Sequence, residues 1–251
     1  MQPQNNKYIE VRRKKQKIKK LVALFILFLG LFILFLLKAP TFNISQISVK
    51  NNNENPILKE DYISGKLNIF KGKNIFSVKR QTIEEELEKE AYVKEAKVTK
   101  KLPNKVSIDI IEKKPTFSIE DNGEFYVLDE EGKIIEIKNE KENDTLINLK
   151  GISVNNKNVG SYITKDEKME KLIDSFGKLL AANTSNIKFS FLDLSDTANI
   201  NIYYGEVMIK IGSEYTLQNK LNSAINILKS HNMKKGYIDV RFNTNPIIVE
   251  E

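Results

Sequence analysis

Few residues of this chain have side chains that could perform acid, base or nucleophilic chemistry. The chain contains one histidine, His231, and no cysteine. The absence of cysteine excludes thiol catalysis, cysteine-based metal sites and disulfides. His231 stands at the end of a predicted helix, where a polar side chain commonly meets the free carbonyls of the last turn. We therefore expect His231 to have a structural role.

Two acidic clusters are the remaining candidates for metal binding or acid/base catalysis. Glu84, Glu85 and Glu86 lie in the first turns of a predicted helix, where surface acids are common because they face the positive end of the helix dipole. The segment DEEG at residues 129–132 lacks the spaced oxygen ligands of a calcium loop and is typical of a hairpin turn. The chain also lacks a P-loop and the serine-hydrolase motifs. We predict no enzymatic activity, no metal, no cofactor and no small-molecule substrate.

The excess of positive charge is confined to the N-terminus. The formal charge is +7, and residues 1–37 contain eight basic side chains and one acid, which account for all of it. Residues 38–251 hold equal numbers of basic and acidic side chains, so the body of the protein has no net basic character and the charge excess does not indicate nucleic-acid binding. We expect the basic tail to contact anionic lipid headgroups instead.

A membrane anchor follows the basic tail. The run LVALFILFLGLFILFLL, residues 21–37, has no polar side chain and would form a helix about 25 Å long, at the short end of what spans a bilayer. A buried core helix is the alternative, but such helices rarely lack every polar position. No Ala-x-Ala cleavage site follows, which favours an uncleaved signal anchor at residues 21–39. The positive-inside rule then places residues 1–20 in the cytoplasm and the bulk of the chain outside.

The segment at residues 42–114 has the pattern of a small α+β domain. Its apolar periodicity predicts the order strand, helix, helix, strand, strand, with a three-stranded sheet that packs both helices on one face. Thr82 and Glu85 fit a capping box at the start of the second helix. Tyr92, Ala96 and Val98 are predicted to share one face of the next strand. The turn KLPNK leads to a last strand that buries Val106, Ile108 and Ile110.

The segment at residues 115–249 is richer in strands. Pro115 marks the boundary, because it cannot donate to a continuing ladder. Turn residues at 121–123 and 129–132 divide the next part into a meander of three short strands. Amphipathic helices are predicted at residues 164–183 and 216–231, and the intervening and closing segments alternate as strands.

The order of these features resembles a known family. The segment at residues 42–114 is similar to a POTRA domain, and more narrowly to that of the FtsQ/DivIB cell-division proteins. The motifs that carry the resemblance are FNISQISVKNN directly after the anchor, GKNIF at 72–76, YVKEAKV at 92–98, LPNKVSIDI at 102–110 and EKKP at 112–115. The second segment resembles the strand-rich β domain of the same family through GEVMIKIG, LQNKLNSAINIL and YIDVRF.

The resemblance implies a function and a site. It implies a non-enzymatic, single-pass scaffold at the division septum that binds bitopic partners of the FtsB/DivIC and FtsL types and through them influences septal peptidoglycan synthesis. The family's partner-binding edge lies at the last strand of the β domain, which corresponds here to Tyr237, Asp239, Arg241 and Phe242. The turn formed by Leu102, Pro103 and Asn104 is a second candidate, for recruitment to the division site.

The sequence also allows simpler interpretations of these residues. Tyr237 and Phe242 could be core residues, and Asp239 and Arg241 could pair with each other at the surface. Two other functions also remain. One is a POTRA-bearing accessory of protein transport or secretion, although such proteins usually carry repeated POTRA units and this sequence shows one. The other is a membrane-anchored cell-wall enzyme, which would need a catalytic constellation.

Overall fold

The computed structural model describes residues 4–53, 55–140, 145–242 and 245–250 of the chain. The chain divides into two compact units, Met1–Glu112 and Lys113–Glu251. The first unit begins with helix α1, Gln4–Lys38. The part Glu10–Lys38 is long and apolar enough to cross a membrane, with a mean hydropathy of 2.9 and no residue of its most apolar stretch buried. This agrees with the predicted anchor.

The rest of the first unit is the predicted α+β layer pair. A short 3₁₀ turn, Pro40–Phe42, leads into strand β1, Gln46–Asn51. The following elements are α2 (Glu60–Lys66), a 3₁₀ turn (Leu67–Phe70), α3 (Arg80–Leu87), β2 (Val93–Lys101) and β3 (Lys105–Glu112). The sheet has the order β1-β3-β2, with β1 parallel and β2 antiparallel to β3.

The core of this unit lies between the sheet and the helices. Val106, Ile108 and Ile110 of the central strand are buried as predicted, because alternate residues of a strand face the same side. They pack with buried side chains from the helices and their connections, which include Ile63, Leu67, Phe70, Ile75, Ile83 and Leu87. The predicted α+β architecture is confirmed.

Two local predictions for this unit are wrong. Helix α3 begins at Arg80, with Lys79 at the N-cap and no side-chain cap, so Thr82 and Glu85 do not form a capping box. In β2 the buried residue near the start is Val93 instead of Tyr92. A bulge between Val93 and Glu95 adds one residue to the strand, which shifts the face that the preceding residues present.

The second unit is built on one nine-stranded sheet. Its strands are β4 (Phe117–Asp121), β5 (Glu124–Leu128), β6 (Ile134–Lys138), β7 (Ile147–Lys150), β8 (Phe191–Asp193), β9 (Ile200–Tyr204), β10 (Glu206–Gly212), β11 (Lys235–Asp239) and β12 (Ile247–Glu250). The order across the sheet is β12-β11-β10-β9-β8-β7-β4-β5-β6. The predicted meander is formed by β4, β5 and β6, in which β5 pairs antiparallel with both of its neighbours.

Helices α4 (Glu167–Ala181) and α5 (Leu217–His231) pack on one face of this sheet and share one core with it. Phe176 of α4 and Leu221 of α5 are buried against alternate residues of the strands, such as Phe117 and Ile209. Gly177 allows α4 to approach the turn between β5 and β6, since a Cβ there would lie 1.9 Å from the carbonyl oxygen of Glu130. The opposite face of the sheet carries the side chains that alternate with these.

Candidate partner-binding edge

The predicted site residues lie at one end of the nine-stranded sheet. Strand β11 lies between β10, to which it is parallel, and β12, to which it is antiparallel. Ile238 faces the helices and is buried, so Tyr237 and Asp239 lie on the helix-free face. The strand ends at Asp239, and Arg241 and Phe242 follow it.

The expectation that these four residues form the last strand is wrong. The last strand is β12, Ile247–Glu250, and β11 is enclosed between two neighbours. Tyr237 pairs with Val249, and Asp239 pairs with Ile247. The four predicted residues therefore lie beside the edge and at its end, while the outer backbone groups belong to β12.

Asp239 and Arg241 pair with each other. Arg241 Nη2 donates to Asp239 Oδ2 at 2.6 Å, and Arg241 Nε donates to Oδ1 at 3.0 Å. The backbone N–H of Arg241 also donates to Oδ1, at 3.1 Å. Asp239 is only 5% exposed, and these hydrogen bonds lower the pKa of its carboxyl by stabilising the charged form. The alternative that these two residues form a mutual pair is therefore confirmed.

The aromatic residues of the site differ in exposure. Phe242 is 68% exposed, so the alternative that it belongs to the core is excluded. Tyr237 is partly buried, and Lys210 of β10 places its ammonium 3.9 Å from the centre of the Tyr237 ring. A cation at that distance fixes the ring by attraction to its π face. Phe242 thus presents an apolar side chain to solvent beside a rigid polar cluster.

Strand β12 presents the open edge of this sheet. Among the described residues no strand pairs with its outer side. Ile247 is 53% exposed there. Gly236 brings β11 close to β12, since its φ is +115° and a Cβ there would lie 2.1 Å from the carbonyl oxygen of Val249. Glycine is required at this position because other residues adopt such a φ only with strain.

Two other sheet edges, at β6 and β2, are partly covered. Beside β6, at the far end of the large sheet, the segment 160–163 bonds to the backbone: Ile134 N donates to Ser161 O at 2.9 Å, and Gly160 N donates to Ile134 O at 2.7 Å. In the first unit, Glu84 Oε1 accepts from the N–H of Val98 in β2 at 2.8 Å. The edge at β12 is therefore a better template for an added strand than these two edges.

A row of partly buried side chains crosses the helix-free face from this edge, and the sequence did not single it out. Tyr237 pairs with Met208, which pairs with Tyr203, which pairs with Phe191. The rings of Phe191 and Tyr203 meet edge to face at 5.4 Å. The signal was present in the period-two alternation of β8 to β11, but only the pairing of the strands aligns the four side chains.

The second predicted site is a turn of the first unit. The side chain of Leu102 is 62% exposed. The backbone of Asn104 is held in place, because its carbonyl accepts from Ser45 N at 3.0 Å and from Gln46 N at 3.4 Å. Pro103 lies exposed between them. Leu102–Asn104 thus belong to the first unit, whereas β11 belongs to the second.

The other candidate residues have structural surroundings. Asp129 Oδ1 accepts from the N–H groups of Glu131 and Lys133 at 3.0 and 2.9 Å, as expected of a hairpin turn. His231 is the last residue of α5, and its Nδ1 lies 3.6 Å from Glu250 Oε1. Within the described part of the chain, no group of three or more His, Cys, Asp or Glu side chains could hold a metal ion.

Comparison with known families gives two matches that follow one another along the chain. One family model, described as POTRA domain, FtsQ-type, matches residues 42–113. A second, described as Cell division protein FtsQ/DivIB, C-terminal, matches residues 118–241.

Several curated proteins are similar over almost the whole length. The cell division protein DivIB of Clostridium botulinum is 37% identical over 250 residues, which cover 98% of this chain and 96% of the relative. DivIB of Clostridium acetobutylicum is 30% identical over 246 residues, 97% of each chain. DivIB of Bacillus subtilis is 27% identical over 241 residues, 94% of this chain and 86% of the relative.

Proposed function

We propose, from the premise that this chain belongs to the FtsQ/DivIB family of cell-division proteins, that it is a non-enzymatic scaffold of the division septum. In this proposal it binds bitopic division proteins of the FtsB/DivIC and FtsL types and through them regulates septal peptidoglycan synthesis. The proposal assigns it no catalytic step, no cofactor and no small-molecule substrate.

The observation that carries the proposal is the open edge at β12. An edge strand offers a row of backbone donors and acceptors to an added strand, and neighbouring pockets select the side chains of the partner. The exposed ring of Phe242 stands at one end of this edge and can serve as an apolar anchor, since aromatic residues are frequent hot spots of interfaces. The pair of Asp239 and Arg241 holds the backbone that leads to Phe242.

The same proposal includes a topology and a location. Residues 1–20 lie in the cytoplasm, residues 21–39 cross the membrane, and the domains at 42–114 and 115–249 lie outside, where the septum is built. The eight basic residues of the tail support this orientation and contact anionic headgroups. Protease added to intact protoplasts should then digest both outer domains. Full protection of these domains would reverse the orientation.

Depletion of the protein tests the cellular role. The proposal predicts filamentous cells with segregated nucleoids and missing septa, and a fluorescently tagged copy at midcell. Normal division with an even distribution of the tagged protein around the membrane would refute the septal role, whatever the biochemistry of the edge.

Capture of the partners tests the edge itself. The full chain with Phe242→Ala should capture partners of the FtsB/DivIC and FtsL types at least about tenfold more weakly, the loss expected for an interface anchor. Val159→Ala is the matched control, because Val159 is 50% exposed and lies beside the covered strand β6. Equal capture by both variants would move the binding site away from Phe242.

A further inference from the structure

A side-chain hydrogen bond links the last turn of helix α1 to the α+β part of the first unit. Asn74 Nδ2 donates to the carbonyl oxygen of Leu36 at 2.9 Å. In a continuing helix that carbonyl would accept from the residue four positions later, which is Pro40 and has no N–H. Asn74 therefore supplies the donor that the proline removes. The segment around Asn74 is fixed at the last turn of α1.

Backbone hydrogen bonds hold the same segment in place. Ile75 N donates to Phe42 O at 2.8 Å, and Ile44 N donates to Lys73 O at 2.9 Å. The rings of Phe42 and Phe76 are in contact, with centroids 5.2 Å apart. The segment 72–76 thus lies against the residues that immediately follow α1, within a few residues of the apolar run that ends at residue 37.

A second segment of the first unit lies at the same end. The carbonyl of Asn104 accepts from Ser45 N, and Lys100 Nζ donates to the carbonyl of Val78. The parallel strands β1 and β3 both start here, since Gln46 pairs with Lys105. The turn between β2 and β3 is therefore a neighbour of the segment around Asn74.

This end of the unit exposes apolar side chains among cations. Ile69, Phe76 and Leu102 are 56%, 40% and 62% exposed. The segments 38–49, 67–83 and 99–108 contain no acid and eight basic residues, which are Lys38, Lys71, Lys73, Lys79, Arg80, Lys100, Lys101 and Lys105. Burial, and to a smaller extent the charge of Arg80, lowers the pKa of Lys100. An anionic surface would attract this group of cations.

We propose that this end of the first unit docks on the membrane surface. The membrane-proximal surface consists of Ile69, Phe76 and Leu102 together with Lys71, Lys73 and Lys101. The three apolar side chains enter the headgroup region, and the three lysines bind anionic phospholipid headgroups of the outer leaflet. The inference rests on the proposed topology, because it requires α1 to cross the membrane with the first unit outside.

Docking would hold the first unit in a defined orientation relative to the membrane. A domain that is joined to its membrane helix by a flexible linker can rotate freely relative to the membrane. Contacts of the segments around Asn74 and Leu102 with the lipid surface would limit that rotation. The lipid surface would therefore orient the first unit even before any partner binds.

Site-directed fluorescence in proteoliposomes tests the proposal on the full chain. The chain has no native cysteine, so each variant with one introduced cysteine carries one environment-sensitive dye. Ile69→Cys, Phe76→Cys and Leu102→Cys report the proposed surface. Ile57→Cys and Ile111→Cys are the controls, because both positions are exposed and lie near the other end of β3, about 17 Å along the strand.

The expected result is a contrast between the two sets. In vesicles of phosphatidylglycerol and phosphatidylcholine, dyes at 69, 76 and 102 should be shielded from aqueous iodide and quenched by lipids with nitroxide headgroups. Dyes at 57 and 111 should show neither effect. In pure phosphatidylcholine the contrast should weaken, because the lysines lose their anionic ligands. Equal iodide access at both ends in both vesicles would overturn the proposal.

Charge reversal tests whether the three lysines contribute to lipid binding. The equilibrium constant for docking should fall at least about fivefold for each of Lys71, Lys73 and Lys101 that is changed to Glu. It should not fall when the exposed lysines Lys50, Lys59 and Lys97 are changed instead. Alkaline carbonate extraction gives the independent control of membrane insertion. A chain that is extracted from the vesicles refutes the membrane span itself, whereas a chain that stays inserted with all dyes accessible refutes only the docking.

Discussion

Arg241 and Asp239 form a two-point contact in which the carboxylate is buried and the guanidinium is partly exposed. Arg241 Nη2 and Nε lie 2.6 and 3.0 Å from the two oxygens of Asp239. Lys210 pairs with Asp239 across the strands, so further positive charge lies close to the carboxylate. The contact fixes the chain directly after β11, from which Phe242 projects into solvent.

Loss of Arg241 should destabilise the second unit. Arg241→Gln leaves the buried carboxylate of Asp239 without its main donor, which costs about 1–2 kcal/mol once the exposure of the arginine is considered. Asp239→Asn combined with Arg241→Gln should recover part of this loss, because no buried charge remains. Urea denaturation of the parent, of Arg241→Gln, of Asp239→Asn and of the double variant measures the coupling.

The same pair predicts a dependence on pH. The pKa of Asp239 is lowered in the folded state, so its contribution to stability is present above the pKa of the unfolded state, about 3.9, and is lost as the pH falls through the folded pKa. The difference in the free energy of unfolding between the parent chain and Arg241→Gln should therefore shrink below about pH 4. A difference that stays constant from pH 7 to pH 3 would contradict the assignment of this charge to Asp239.

Substitution of Gly236 should release β12. A Cβ at Gly236 would lie 2.1 Å from Val249 O and would have to accept a φ of +115°. Gly236→Ala is therefore expected to separate β12 from β11, while the buried core around Ile209 persists. Hydrogen exchange should show faster exchange at 247–250 and unchanged protection in β9 and β10. Unchanged protection of β12 would show that a backbone shift accommodates the methyl group without separating β12 from β11.

Proline substitutions in β12 can separate its two sides. Successive residues of an edge strand direct their N–H groups alternately toward the neighbouring strand and away from it. Of Ile248→Pro and Val249→Pro, one should disturb the pairing with β11, and the other should leave the fold intact but block an added strand. The intact variant is expected to lose partner capture. Normal capture by that variant would exclude strand addition at β12.

The order of elements could be predicted from the sequence because each carries its own periodicity. Val106, Ile108 and Ile110 alternate strictly, and the helices around Phe176 and Leu221 repeat at helical spacing, so local pattern and burial agree. The predicted faces failed only where an extra residue enters the ladder, as at the bulge near Val93. A bulge depends on the partner strand and leaves no periodic signal.

The site was predicted less well, because its limits are set by contacts across the sheet. The alternation of YIDVRF continues through Phe242, so the sequence gives no sign that the strand ends at Asp239. The end results from the turn that Asp239 makes with Arg241. In the same way, Glu84 fits a helix-start cluster in the sequence, yet its carboxylate accepts from the N–H of Val98 in β2, a contact that no local pattern contains.

The contact between Asn74 and Leu36 predicts a rescue experiment. Asn74→Asp keeps the acceptor for the N–H of Phe76 but removes the donor and turns a carboxylate toward the Leu36 carbonyl, at a cost of about 1–3 kcal/mol. Pro40→Ala restores a backbone N–H four residues after Leu36, so the double variant should regain part of the loss. Thermal unfolding of the first unit in nanodiscs measures both effects. Additive losses in the double variant would show that the two residues do not serve the same carbonyl.

For Asp129 we expect the opposite dependence of stability on pH from that of Asp239. Burial raises the pKa of this carboxyl, so its protonated form is favoured in the folded state, and stability is lost as the pH rises from the unfolded value through the folded pKa. Asp129→Asn keeps an oxygen for the N–H groups of Glu131 and Lys133 and cannot ionise. The variant should match or exceed the parent in stability at pH 7, and this advantage should vanish toward pH 4.

Asp129→Ala is the control for that comparison, because it removes the acceptor of both N–H groups and should cost about 1–3 kcal/mol at every pH. Urea titrations of the parent and both variants between pH 4 and pH 8 provide the test. Lys113 Nζ lies 3.7 Å from Asp129 Oδ2 and opposes the effect of burial. If Asp129→Asn were less stable than the parent at pH 7 and equal to it at pH 4, the attraction of Lys113 would outweigh burial, and the carboxylate would be a stabilising charge of the turn.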